Sequence, residues 1–160
     1  MEAEQALGAL AANAGFLLSR VGAAVQGGFK ELLSGWGIRP QQFAILSALS
    51  AAGSTSQQQL CTLLGVDSGN MVELVDKLEA LGFAERRRDP RDRRRYLLAV
   101  TAEGQAAFEA MRAATASYTG SFLEPLSQAE QETLVGALAK LYAATPEGRR
   151  WPRPEPARRP

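Results

Sequence analysis

Histidine is absent from the sequence, and cysteine occurs once, at Cys61. Without histidine the chain lacks the commonest general base, the commonest transition-metal ligand and the side chain that titrates near neutrality. A single cysteine excludes an intramolecular disulfide and a zinc site built on several thiolates. Histidine-dependent hydrolases and zinc sensors therefore drop out, and neither catalysis nor a cofactor is expected. The run Val66-Asp67-Ser68-Gly69-Asn70 looks superficially like a serine-nucleophile motif, but nothing is present to activate Ser68, which falls at a predicted helix start.

Long apolar runs are also missing. Residues Pro40 to Val66 carry no charge, yet they include five glutamines, a serine-threonine cluster and two glycines, so no membrane span is expected. The opening Met-Glu-Ala-Glu is acidic where a secretory signal would be basic; no cleaved signal is expected, and a cytoplasmic location follows. Finally, 18 lysines and arginines against 17 aspartates and glutamates leave a net charge of +1, without the overall basic excess that marks many nucleic-acid binders.

What is present is a helical pattern. With 160 residues, 46% of them hydrophobic, the chain fits one folded domain with an appended element. From Ala6 to about Ser34, Leu7, Leu10, Ala14, Leu17, Leu18, Val21, Val25, Phe29, Leu32 and Leu33 recur mostly at steps of three and four, which predicts a long amphipathic helix. Pro40 opens a second helix with Phe43, Ile45, Leu46 and Leu49 inward. Ser54, Thr55 and Ser56 are N-cap candidates for a short third helix with Leu60, Cys61, Leu63 and Leu64 inward. There Cys61 reads as a small core hydrophobe rather than a redox switch, because nothing basic lies nearby in sequence to lower its pKa. Asp67 caps a fourth helix, striped by Met71, Leu74, Val75, Leu78 and Leu81. Two short helices joined by a glycine-containing turn form a helix-turn-helix candidate.

The pattern then changes to a hairpin: Phe83 to Arg87, a charged turn over Asp89 to Arg94, and a β-rich run from Arg95 to Val100. Thr101 caps a fifth helix reaching about Phe122, and the capping box Ser127-Gln128-Ala129-Glu130 opens a sixth through Tyr142. Thr145 to Pro160 holds five of the eight prolines and reads as a disordered tail, rich in arginine and proline.

The near-neutral total hides a segregated charge. Residues 1–85 carry 4 basic and 8 acidic side chains, 86–95 carry 7 and 2, 96–148 carry 2 and 6, and 149–160 carry 5 and 1. Seven arginines on one hairpin tip repel one another, and a polyanion facing them is the natural complement. Arginine suits this better than lysine, since it makes bidentate phosphate contacts and enters a narrow minor groove with little dehydration penalty.

Four stretches carry a family resemblance: Leu64 to Asp67, Leu74 to Arg86, Asp89-Pro90-Arg91-Asp92-Arg93-Arg94, and Val100-Thr101-Ala102-Glu103-Gly104. In this order and at these spacings they resemble the recognition helix, wing signature and following helix of the MarR family of winged-helix regulators, a likeness covering about residues 5–143. The implied fold is mainly α with a small β-hairpin wing: a dimerisation helix over residues 1–37, a winged helix-turn-helix over 38–100, dimerisation helices over 101–144, and a tail over 145–160. The implied protein is a transcriptional regulator and not an enzyme, most often a repressor in this family. It would be a homodimer with the first, fifth and sixth helices interlocked, straddling a pseudo-palindromic site on double-stranded DNA and released by a small aromatic or phenolic effector.

By the same resemblance, Ser68, Gly69, Asn70, Glu73 and Lys77 face the major groove, where asparagine can pair with adenine and a carboxylate can accept from cytosine N4. Ser56, Gln57, Gln58, Arg91, Arg93, Arg94 and Arg95 supply wing and backbone contacts; Asp92 orients Arg94, and Asp76 braces a wing arginine. Phe16, Arg20, Trp36 and Phe43 are the effector-pocket candidates. Two residues depart from the family's usual pattern: Glu73 stands where a basic or neutral polar residue is common, and Val72 where threonine is common. Lys77 is the only cation on the recognition helix, so the wing must carry most of the electrostatic affinity. The alternative is a helical dimer that keeps the fold but acts through protein partners.

Overall fold

A computed structural model describes residues 12–146 together with 8, 10, 148 and 149. Among the described residues the elements follow in the order α1 (Ala14–Ser34), α2 (Pro40–Ala52), β1 (Ser54–Thr55), α3 (Gln57–Leu64), α4 (Ser68–Ala80), β2 (Ala84–Arg88), β3 (Tyr96–Val100), α5 (Ala102–Leu123) and α6 (Gln128–Ala144). Caps fix most helix starts. Asn13, Ser56, Asp67, Thr101 and Ser127 each accept an N–H from the first turn of the helix that follows, a contribution of typically about 1 kcal/mol per cap.

At Asn13 the structure differs from the expectation of a helix unbroken from Ala6. Asn13 has extended backbone and its side chain accepts the Phe16 N–H at 2.9 Å, so a new helix starts at Ala14. The apolar period runs through this point and conceals the cap. The arginine- and proline-rich tail read over residues 145–160 lies almost wholly outside the described residues.

The core gathers around α2, whose Ile45, Leu46 and Leu49 are fully buried. Leu60 of α3, Met71, Val75 and Leu78 of α4, Leu98 of β3, Phe108 and Met111 of α5 and Leu33 of α1 close over it. Each such burial stabilises by about 1.5–3 kcal/mol. Cys61 is half-buried and packs against this cluster. Gly65 ends α3 in the left-handed region, with φ 65°, and so makes the turn of the helix-turn-helix. The sheet has the order β1-β3-β2 and is antiparallel throughout. β1 is an addition to the sequence reading: Ser54 and Thr55 pair with Ala99 and Leu98 before Ser56 caps α3.

The outer helices are bare by comparison. Leu33 is the one buried residue of α1, and α6 buries none. Leu17, Leu18 and Val21 of α1 and Val135, Leu138 and Leu141 of α6 stand exposed, and an apolar trough of about 1030 Å3 runs between the two helices and the α5–α6 turn.

The sixth helix also carries a pH signature. The Ser127 hydroxyl and backbone N–H both donate to Glu130, which holds its carboxyl below the ordinary carboxylate range. A lowered folded pKa contributes stability that is present above the ordinary range and lost as pH falls through the lowered value. Acidification through that window is expected to fray the first turn of α6, seen as a larger loss of amide protection there, relative to neutrality, than in Ser127→Ala; an equal loss in the two proteins would remove the assignment.

Candidate nucleic-acid interface

The fourth helix has two faces because its apolar residues repeat at helical spacing. Met71, Leu74, Val75 and Leu78 are buried against α2 and α3, so Ser68, Gly69, Asn70, Val72, Glu73 and Lys77 are turned to solvent. Its first turn is set by Asp67, which accepts the Asn70 N–H at 2.9 Å. All five residues expected to face a major groove thus lie on one exposed surface. They include a helix N-terminus, a neutral amide, a carboxylate and an ammonium group. Val72, 40% exposed, adds an apolar contact to the same face.

In the hairpin, Arg86, Arg87 and Arg88 of β2 pair with Leu98, Leu97 and Tyr96 of β3. The seven arginines divide into two groups. Arg86 is half-buried and turned back onto α4: its guanidinium reaches Asp76 at 2.8 Å and also pairs with Glu79, while its backbone N–H donates to Glu79 Oε1 at 2.9 Å. Arg87 pairs with Glu85, and Arg88 lies 5.2 Å from the centre of the Tyr96 ring and donates to the Arg93 carbonyl. All three have partners within the fold, although Arg87 and Arg88 remain exposed. The turn arginines Arg91, Arg93, Arg94 and Arg95 are exposed.

The aspartates of the turn hold backbone. Asp89 accepts the Arg91 N–H at 2.8 Å and Asp92 accepts the Arg94 N–H at 3.0 Å. Asp92 therefore sets the course of the chain at Arg94, whereas its nearest side-chain partner is the Arg95 guanidinium at 3.7 Å, an exposed pair worth little. The expected brace from Asp76 to a wing arginine is present and falls on Arg86. Glu79, which sequence reasoning missed, shares it; the contact joins α4 to β2 across seven residues, a spacing with no meaning until the chain folds.

Before the wing, Ser56 spends its hydroxyl on the α3 cap, in contact with Gln59. Gln57 is half-buried and Gln58 is exposed beside it. The four proposed pocket residues do not converge. Phe43 lines a cavity of about 560 Å3 between α1, α2 and α5, with Phe29, Leu33, Phe108 and Arg112 among its walls. Its ring lies 5.4 Å from that of Phe108. Phe16 and Arg20 are exposed on α1 away from this lining, and Trp36 packs against the core. Helical period places residues around one helix but does not show which helices enclose a space, so Arg112 and Phe108 were out of reach. Among the described residues no cluster of histidine, cysteine and carboxylate side chains is arranged to hold a metal ion, and no helix is long and apolar enough to cross a membrane.

Known proteins share this arrangement. The MarR family model matches residues 36–95, which span the helix-turn-helix and most of the hairpin. A putative transcriptional regulatory protein for the hcr operon of Thauera aromatica is 33% identical over 141 residues, covering 88% of this chain and 85% of that one. The structure of CouR from Rhodococcus jostii RHA1 bound to p-coumaroyl-CoA superposes with a TM-score of 0.71 at 31% identity, covering 85% of this chain and 96% of that one. That of the transcriptional repressor CouR on a 23-mer DNA duplex gives 0.75 at 29% identity, covering 84% and 96%.

Proposed function

Because the chain belongs to the MarR family of transcriptional regulators, which are not enzymes, we propose that it is a ligand-responsive repressor that binds a pseudo-palindromic operator as a cytoplasmic homodimer. The observation that carries the reading is the pairing of one exposed polar helix face with a hairpin tip whose four arginines are turned to solvent. α4 enters the major groove, with Asn70 and Glu73 at base edges, Val72 against a thymine methyl, and Ser68, Gly69 and Lys77 around them. Arg91, Arg93, Arg94 and Arg95 engage the adjacent minor groove and phosphates, while Ser56, Gln57 and Gln58 offer neutral donors to the backbone. Arg86, clamped by Asp76 and Glu79, fixes the angle between helix and wing.

Dimerisation covers the apolar faces of α1 and α6, and two-fold symmetry places the recognition helices one helical turn of DNA apart. The cavity at Phe43, walled by aromatics with Arg112 at its edge, supports a small aromatic or phenolic effector carrying an anionic group; the p-coumaroyl-CoA held by CouR is in keeping with that chemistry. An effector seated between the outer helices and α2 favours a separation of the two recognition helices that no longer matches successive grooves.

Selection of bound duplexes from a random pool tests the reading. The expected result is one two-fold-related sequence, bound with an affinity that falls steeply with salt; failure to enrich any sequence would favour a dimer acting through protein contacts. With that duplex in hand, Arg94→Ala is expected to weaken specific binding by about 1–3 kcal/mol. A loss within error would remove Arg94 from the groove.

A further inference from the structure

The stretch from Pro40 to Val66 offers no cation to a phosphate, but the residue immediately before it does. Arg39 is the N-cap of α2 and is exposed, and no ion pair engages it among the described residues. It lines a cleft of about 440 Å3 whose opposite wall is the recognition helix, through Asn70, Glu73 and Lys77. The two walls are tied together by Gln42, which is 3% exposed: its Oε1 accepts the Arg39 N–H at 2.9 Å, and its Nε2 donates to the Leu74 carbonyl in the middle of α4 at 3.2 Å. One buried amide thus sets the distance between the backbone at Arg39 and the helix that carries Asn70 and Glu73.

We propose that Arg39 grips a DNA backbone phosphate at the edge of the groove entered by α4, and that Gln42 is a positioning residue holding this contact in register with the base-reading face. The inference rests on the DNA-binding reading of α4 and adds a phosphate contact outside the wing. The chemistry favours a phosphate of a polymer over a free anion within the cleft, because Glu73 contributes a carboxylate to the cleft lining while Arg39 is exposed. A carboxylate among the base-facing residues repels the phosphates on either side, and cations within roughly a Debye length of about 8–10 Å offset it best. The wing arginines belong to a different element; Arg39 and Lys77 border the same cleft as Glu73.

Arg39→Gln, compared with the unaltered protein on the selected duplex and on an unrelated one across a range of salt concentrations, separates the alternatives. With one Arg39 in each subunit of a dimer, the slope of log affinity against log salt is expected to fall by about 1.8, from about 0.9 per neutralised phosphate. Affinity for the two duplexes should fall by the same factor, with the melting temperature unchanged. An unchanged slope, or a loss confined to the selected duplex, overturns the proposal. Gln42→Met keeps the volume and removes the tie; in that background Arg39→Gln is expected to cost a smaller factor than it does alone, and strict additivity overturns the positioning role. Should Gln42→Met fail to fold, Arg39→Gln still decides the phosphate contact. If the unaltered protein enriches no duplex, the DNA reading itself fails; if it does enrich one and Arg39→Gln keeps the slope, this inference fails alone.

Discussion

Leu138→Glu is expected to yield a folded monomer that has lost specific DNA binding by about a thousandfold or more. Leu138 is 40% exposed on α6 and lines the apolar trough together with Leu17, Leu18 and Val21 of α1. In an isolated subunit a carboxylate there still reaches water, so the fold tolerates it. In a two-fold dimer the same change buries two unpaired charges against leucine and valine, at a cost of roughly 3 kcal/mol or more each. A single subunit then has one half-site, and affinity drops from the specific toward the non-specific range, a difference of roughly a thousandfold or more. Sedimentation, far-ultraviolet circular dichroism and fluorescence anisotropy with the selected duplex read the three properties together. A dimeric variant would move the interface elsewhere, and a monomer with full affinity would remove dimerisation from the binding mechanism.

The second large effect is on stability. Gly104 is buried in the first turn of α5, and a Cβ on it would overlap the carbonyl and Cα of Phe83. Phe83 cannot withdraw, because its carbonyl accepts the Thr101 N–H at 3.1 Å, while the Thr101 hydroxyl donates to the Gly82 carbonyl at 2.5 Å and accepts the Gly104 N–H at 2.9 Å. The exit from α4, the entry to the wing and the start of α5 meet at this point. Gly104→Ala is expected to cost about 3 kcal/mol or more, at the upper end of overpacking in a close-packed core. At 2–4 °C per kcal/mol for a chain of this size, the midpoint of thermal unfolding falls by roughly 6–12 °C. A drop within about 2 °C would show that the turn relaxes around a methyl group.

Much of this fold was legible because the signals are local. Asp67, Thr101 and Ser127 each stand one residue before an apolar period and each caps a helix; Gly65 and Gly82 end helices where the period stops. The hairpin was legible from its β-branched and aromatic second strand and its charged turn. Where the reading differed from the structure, the deciding interaction lay at long range or broke no pattern. Two residues of β1 are too few to show an alternation, and they pair with a strand far along the chain. Glu79 gains its role only when Arg86 folds back over it. Phe43 lines a cavity, whereas Phe16 and Arg20 lie exposed elsewhere on α1, a separation that helical period does not reveal. Arg39 sits one residue outside an uncharged stretch, and its link to α4 through Gln42 spans more than thirty residues of chain, so no local pattern marks it.

The position of β3 between β1 and β2 also orders the molecule's biosynthesis. The pair Ser54↔Ala99 encloses both helices of the helix-turn-helix and the whole wing, so its contacts are non-local and form late relative to helices. A chain leaving the ribosome N-terminus first can assemble α1 to α4 while β3 is still untranslated. Until Val100 has emerged, the wing has no second strand and the helix-turn-helix has no sheet beneath it. Asp76, Glu79 and Arg86 are then already synthesised, but the strand that pairs with Arg86 and holds it in the hairpin is not.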